Sequence, residues 1–277
     1  MNVSKHFLVK PGSKVRLAEL DPAFADSDET KQAALKKIEQ NNLRIRDLQE
    51  LLYAEHKRGL LICLQGIDTG GKDGTIRHVF SIMNPQGCRV SSFKPPTGSE
   101  QDHDFLWRAH RDAPGKGEVV IFNRSHYEDV LVARIDKLVP ESVWRGRYDE
   151  INFFEKYLTD NGTHIIKIFL HISKDEQLAR FKDRLDNPTK RWKVSAADYA
   201  DRARWDDYQV AFEDMLSNCS THHAPWFVIP ANHKWYRDFV VSQITADYME
   251  GLGMAYPPPA IDFDELKKKY HAAEKQA

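Results

Sequence analysis

An apolar run that ends in a glycine-rich turn limits what this chain can fold into more than any other feature. Leu60-Leu61-Ile62-Cys63-Leu64 is apolar at every position and leads through Gln65 into Gly66-Ile67-Asp68-Thr69-Gly70-Gly71-Lys72-Asp73-Gly74. A strand that is apolar on both faces belongs in the middle of a parallel sheet, where helices cover both sides. The turn matches G-x-x-x-x-G-K, and a helix is expected from Lys72 to about Met83, stopped by Asn84-Pro85-Gln86-Gly87. Gly66, Gly70, Gly71 and Gly74 let the backbone bend so that the N–H groups around Thr69 point at phosphate oxygens. The positive end of the helix and the full charge of Lys72 complete a phosphate cradle.

The same alternation of short apolar runs and helical patterns continues along the chain. Strands are expected at Arg89 to Phe93, Glu118 to Phe122, Ile165 to Ile172 and Trp226 to Pro230. Helices are expected at Lys31 to His56, Ser99 to Asp112, Leu138 to Leu158 and Trp235 to Met254, with another opened by the capping-box pair Ser173 and Glu176. Strands alternating with helices imply an α/β fold of three layers, a parallel sheet flanked by helices. Residues 1–30 read as an irregular arm, 31–256 as one domain and 257–277 as a loosely held tail.

Two features near the cradle carry chemistry. A P-loop ordinarily places Ser or Thr after its lysine, to hold Mg²⁺; this chain has Asp73 there and a second acid, Asp68, inside the loop. A carboxylate facing phosphates is repelled unless a cation lies between them, so Asp68 reads as a ligand of Mg²⁺ or as a proton acceptor. Asp73 has the simpler reading of a favourable charge in the first helical turn. At the carboxyl end of the strand 118–122 stand Asn123-Arg124-Ser125-His126-Tyr127-Glu128-Asp129, where ligands of an open parallel sheet sit. Arg124 offers a bidentate fork to a phosphate, and Asn123, Glu128 and Asp129 are candidates for metal support.

From Arg180 to Lys193, six basic residues face two acids. Arg184 lies one helical turn after Arg180, and Lys190, Arg191 and Lys193 follow the break at Asn187-Pro188. A mobile basic segment closes over phosphates and excludes water, so a lid is expected at about 180–215.

Composition sets the outer bounds. With 40 basic and 41 acidic residues the formal charge is -1, so no global field draws in nucleic acid, and a polyanion has to be met by a local basic cluster. Cys63, Cys88 and Cys219 lack metal or disulfide spacing, Met1 to Arg16 lacks the core of a signal peptide, and no apolar run reaches about 18 residues. The expectation is a cytoplasmic protein with no membrane or nucleic-acid partner. These residues alone also admit an ATP-dependent nucleotide or small-molecule kinase, or a non-catalytic nucleotide or polyanion binder.

The segments Gly66 to Gly74, Phe122 to Val130 and Arg184 to Pro188 through Trp192-Lys193, taken together, resemble the polyphosphate kinase-2 family. The likeness extends over Leu51 to Glu55, Ala224-Pro225-Trp226 and Ile229-Pro230-Ala231, about residues 31–256 in all. It implies a thymidylate-kinase-like P-loop fold with a helical lid. It also implies reversible phosphoryl transfer between inorganic polyphosphate and AMP or ADP, with Mg²⁺ or Mn²⁺ as the cofactor. By position, Asp68 corresponds to the family's catalytic and metal-linked acid, Lys72 to its Walker lysine and Arg124 to the arginine after the Walker B strand. Arg184 falls in the lid motif and joins them as a catalytic candidate. Asn123 departs from the aspartate of many members, as in the subgroup that accepts both AMP and ADP. A homo-oligomer is the expected assembly.

Overall fold

Strand β1 (Gly59–Gln65) is buried along its whole length and, as its apolar character requires, takes the centre of the sheet. The computed structural model describes residues 2–259 and 261–275. Its five parallel strands stand in the order β2 (Cys88–Ser92), β3 (Val119–Asn123), β1, β4 (Thr163–His171) and β5 (Trp226–Pro230). In register, Leu60 lies opposite Val119 of β3 and His164 of β4. The chain leaves β1 for β2 and β3 on one side, then crosses to β4 and β5 on the other. That reversal opens a crevice at the carboxyl ends of β1 and its neighbours, directly over the glycine turn.

The helices follow local sequence, with instructive departures. The arm is not irregular throughout: it forms α1 (Val3–Phe7) and a 3-10 turn at Leu17–Glu19. Phe7, Val9, Val15 and Leu17 are buried, and Leu8 bridges Phe227, so apolar anchors strap the arm to the core. The Thr30 hydroxyl caps α2 (Lys31–Glu55) by accepting from the Ala33 amide. Helix α3 (Lys72–Thr75) is followed by a π turn at Ile76–Phe80, so the helix expected to reach Met83 is shorter and wider than a regular one. The helix expected at 99–112 is two, α4 (Gly98–Gln101) and α5 (Trp107–Arg111), because the Asp104 carboxylate binds the Leu106 amide and turns the chain between them. An unexpected helix, α6 (Glu128–Ile135), follows β3, and α7 (Glu141–Asp160) begins only after Pro140, which occupies its N-cap.

Helix α8 (Lys174–Asp186) starts at Ser173, whose hydroxyl accepts from the Glu176 amide. A 3-10 turn at Pro188–Lys193 leads to α9 (Ala196–Ala203) and α10 (Trp205–Cys219), which the apolar pattern did not announce. Helix α11 (Lys234–Gly251) closes the fold, and α12 (Phe263–Glu274) forms a helix in the tail with no buried residue. Among the described residues no helix is long and apolar enough to cross a membrane.

Alternation along β1 builds the two cores. Leu60, Ile62 and Leu64 join Ile38, Ile45 and Leu52 of α2, while Leu61 and Cys63 join Phe154 and Leu158 of α7. Helices α2 and α11 pack on each other on the first face, and α7 lies on β4 on the second. Each fully buried aliphatic side chain removes apolar surface from water at about 25 cal/mol per Å², so the cores fix the strand end that carries the turn. Ile45 is 0% exposed. Ile45→Ala is expected to destabilise the fold by about 2–5 kcal/mol, read from the denaturant midpoint; a loss below about 1 kcal/mol would contradict the packing described.

Candidate active site

The glycine turn between β1 and α3 has its carbonyls bound, one after another. Lys72 Nζ donates to Gly66 O (2.7 Å) and Ile67 O (3.3 Å), and the Gly70 amide also binds Ile67 O (2.9 Å). Gln177 Nε2 donates to Asp68 O (3.2 Å), and Arg180 Nη1 donates to both Thr69 O (2.8 Å) and Gly70 O (2.9 Å). Arg180 also binds the carbonyl of Ala231 at the end of β5, and its Nε binds Glu176 at 2.7 Å. With its carbonyls held by α8, the turn is free to present amides to an anion. Gly71, at φ +113°, allows the closest approach: a Cβ there would stand 2.2 Å from Arg237 Nη1.

Four charged groups meet beside the turn. Arg124, at φ +61°, donates from Nη2 to Asp68 Oδ1 (2.5 Å), and its Nη1 lies 3.8 Å from Glu128 Oε2. Gln65 Nε2 fixes Glu128 by donating to its Oε1 at 3.1 Å. Burial works to raise the Asp68 carboxyl, but Lys72, Arg124 and Arg184 outweigh it and hold the group below the ordinary aspartate range. Burial lowers the Lys72 ammonium, with Asp68 opposing. For Glu128, burial prevails over Arg124 and Lys72 and raises the carboxyl. Asp68 therefore stays ionised beside the cradle.

The cradle opens into a cleft of about 740 Å³. Ten basic side chains line it (Lys72, Arg77, Lys94, Arg124, Arg180, Arg184, Lys190, Lys193, Lys234 and Arg237) against four acidic ones, Asp68, Asp73, Asp183 and Asp238. Across it lies the turn 188–193. Arg184 Nη1 donates to Asp198 Oδ2 (3.0 Å) and Lys193 O (3.2 Å), which ties α8 to α9 and the turn. Lys190 Nζ reaches Asp183 at 2.7 Å. Asp73 does more than face a helix end: its Oδ1 accepts from Asn123 Nδ2 (2.9 Å) and its Oδ2 from Lys193 Nζ (3.3 Å), so it joins β3, α3 and the basic turn. Burial works to raise Asp73, but the Asn123 hydrogen bond and Lys193 lower it.

Two expected residues lie elsewhere. Asp129 points away from the cradle, 3.4 Å from Arg147 Nη1 and 3.7 Å from Arg108 Nη2, because the start of α6 turns Glu128 and Asp129 to different sides. Arg191 is turned from the cleft, its Nε donating to Leu185 O at 3.0 Å. Gly66 and Gly70 shape the turn from behind and do not line the cleft. Of the stretch 180–215, only residues from Arg180 to Lys193 line it; Tyr208, Phe212 and Met215 of α10 pack in the core instead.

Among the described residues no group of three His, Cys, Asp or Glu side chains could hold a metal by protein ligands alone. A divalent cation that keeps several waters and takes one or two carboxylates together with substrate phosphates needs no such group. Asp68 and Asp73, with the Asn123 amide beside them, are oxygen donors at the cradle that line the cleft.

The family model of Polyphosphate kinase 2 matches residues 26–254. The chain belongs to the polyphosphate kinase 2 family. It is 53% identical over 263 residues to the AMP/ADP-polyphosphate phosphotransferase of Meiothermus ruber, covering 95% of this chain and 98% of that one. It is 44% identical to the ADP-polyphosphate phosphotransferase of Rhodopseudomonas palustris, covering 92% of each. The crystal structure of polyphosphate kinase 2 from Arthrobacter aurescens TC1 superposes with a TM-score of 0.94 at 39% identity, over 98% of this chain and 97% of that one. The protein is thus a kinase with the P-loop fold, and phosphotransferases of the polyphosphate kinase 2 family generally need a divalent metal.

Sequence reasoning missed the supports of this polyphosphate kinase 2 cradle. Gln177 is fully buried and Arg180 nearly so, three residues apart on the face that α8 turns to the core. A Gln and an Arg at apolar positions of an amphipathic pattern were the available signal. Arg237, buried beneath Gly71 and bonded to Asp238 at 2.7 Å, gave none, because it sits in a helix that is otherwise core.

Gly71→Ala forces a side chain against Arg237 in a left-handed backbone; a loss of about 1–3 kcal/mol is expected in denaturant titration, and an unchanged midpoint would contradict it. The lowered Asp68 carboxyl sets a pH dependence. Its contribution to stability is present above the ordinary aspartate value of about 3.9 and is lost as pH falls through the lower folded value. The stability gap between wild type and Asp68→Asn should therefore close in acid, and a gap that stays constant with pH would contradict the assigned field.

Proposed function

We propose that the protein transfers a phosphoryl group from inorganic polyphosphate to AMP and ADP, reversibly. The observation that carries this reading is the ring of lysines and arginines around the cleft. It supplies more positive charge than the phosphates of one nucleotide need, and it matches a chain of like-charged phosphates. The names of the relatives support the same substrates.

The transfer is an in-line displacement. A terminal phosphate oxygen of the nucleotide attacks the end phosphorus of the polyphosphate; a new P–O bond forms, and the bond to the next phosphate breaks, leaving the chain one unit shorter. A phosphate nucleophile is ionised at neutral pH, so no strong base is required. The amides of the turn and Lys72 hold the transferring group, and Arg124, kept in place by Asp68, follows charge onto its equatorial oxygens. Arg184, Lys190 and Lys193 bring positive charge from the far wall and exclude water. Mg²⁺, held through Asp68 and the nearby Asp73 and Asn123, would neutralise charge on donor and acceptor phosphates. Glu128 supports the site by fixing Arg124. The free thiols Cys63, Cys88 and Cys219 suit a cytoplasmic enzyme. Phe153 and Tyr157, exposed four residues apart on α7, support a homo-oligomer.

The test is to mix the purified protein with long-chain polyphosphate, Mg²⁺ and AMP without ATP, and to follow ADP and ATP by chromatography. Appearance of both is expected; no product from this mixture, with ATP consumed in a parallel mixture that holds ATP and no polyphosphate, would replace this reading by an ordinary ATP-dependent kinase. Asp68→Asn should keep the fold and lose turnover by about 100-fold or more. Turnover near that of wild type in this variant would remove Asp68 from the mechanism.

A further inference from the structure

Strand β4 carries a lysine in its middle. Lys167 stands between Ile166 and Ile168, opposite Cys63 of β1, and its side chain is fully buried. The ammonium donates to Glu155 Oε2 (2.5 Å), Tyr127 Oη (2.8 Å) and the Cys219 carbonyl (2.6 Å), which uses all three of its protons. Glu155, equally buried, accepts on Oε1 from the Tyr127 hydroxyl at 2.7 Å. His126 Nε2 lies 3.3 Å from the same oxygen and, facing a carboxylate, carries the proton. The network joins β4, α7 and the end of α10 to residues 126 and 127.

Buried ion pairs are poor stabilisers, because desolvation offsets most of their attraction and apolar replacements are often as stable. Its place in the chain suggests another role. His126 and Tyr127 form the middle of the turn whose two ends are Arg124 and Glu128. The ends face the cradle; the middle points into the core. Ser125 is tied in the same way, its hydroxyl accepting from Gln65 Nε2 (3.1 Å), the group that also holds Glu128. Arg124 sits in a left-handed backbone conformation, which persists only where the surroundings fix it.

We propose that the buried Lys167, Glu155, Tyr127 and His126 side chains are positioning residues that lock the Arg124–Glu128 turn and so set the Arg124 guanidinium on Asp68. None of them lines the cleft; they act through Arg124 and Glu128. The kinetic part of this inference rests on the polyphosphate-dependent transfer proposed above.

The experiment compares wild type with Tyr127→Phe and with the all-apolar Lys167→Met/Glu155→Leu/Tyr127→Phe. The triple variant leaves the buried Cys219 carbonyl and the His126 ring without their partners, so its thermal midpoint should fall modestly, while kcat falls about 10- to 100-fold and KM for the nucleotide changes little. Backbone amide exchange over residues 122–130 should speed up, and that of α11 should not. A triple variant with native kcat and native exchange at 122–130 would overturn the proposal, whatever its midpoint. If the triple variant does not fold, Tyr127→Phe decides: a fall in kcat with faster exchange at 122–130 supports it, and wild-type values of both sink it. The exchange measurement needs no substrate. Failure of wild type to use polyphosphate would therefore count against the proposed function, and the exchange comparison would still judge the positioning role.

Discussion

A peptide turn can offer its amides to an anion only if its carbonyls are bound elsewhere. In this protein that condition is met mainly by Gln177 and Arg180 of α8, which take the carbonyls of Asp68, Thr69 and Gly70, and by Lys72, which folds back onto Gly66 and Ile67. Because Arg180 also binds the Ala231 carbonyl, the conformation of the turn depends on the spacing of β1, α8 and β5. The sheet order, with β1 between β3 and β4, is what brings these elements to one end of the molecule. Loss of the guanidinium would leave several buried carbonyls without partners, each costing about 1–3 kcal/mol.

The electrostatics of the cleft follow from the same geometry. Lys72, Arg124 and Arg184 converge on Asp68, and their combined field overrides the desolvation of its carboxyl. An ionised acid inside a phosphate site makes sense only beside cations, and here the protein supplies them before any substrate arrives. Asp73 plays a comparable part at the opposite lip, where Asn123 and Lys193 share its two oxygens. A Ser or Thr at that position could not bridge the basic turn with a full charge. Lys193 is thereby held over the cradle.

Much of this was legible in the chain. The run from Leu60 to Leu64 announced a central strand, and the structure puts it there. The glycine turn, Lys72 and Arg124 announced a phosphate site, and the structure gathers them within one cleft. Asp73 reads in the sequence as a helix-end charge, because its partners Asn123 and Lys193 lie 50 and 120 residues away. Adjacency sets Asp129 beside Glu128 in the chain, but successive residues at a helix start point to different sides, and Asp129 faces Arg108 and Arg147. The apolar reading of β4 passed over Lys167, whose partners come from α7, α10 and the turn after β3.

The sequence by itself determined the parallel α/β architecture, the position of the phosphate cradle and the kind of ligand it suits, because apolar periodicity, turn residues and a glycine motif are local and read within a few residues of one another. Only the tertiary structure decided which charges meet, which of two neighbouring acids faces the site, and which polar groups hold the cradle from behind. Those outcomes rest on hydrogen bonds and fields that act over a few ångströms between residues far apart in the chain, and their partners are chosen by how helices pack on the sheet.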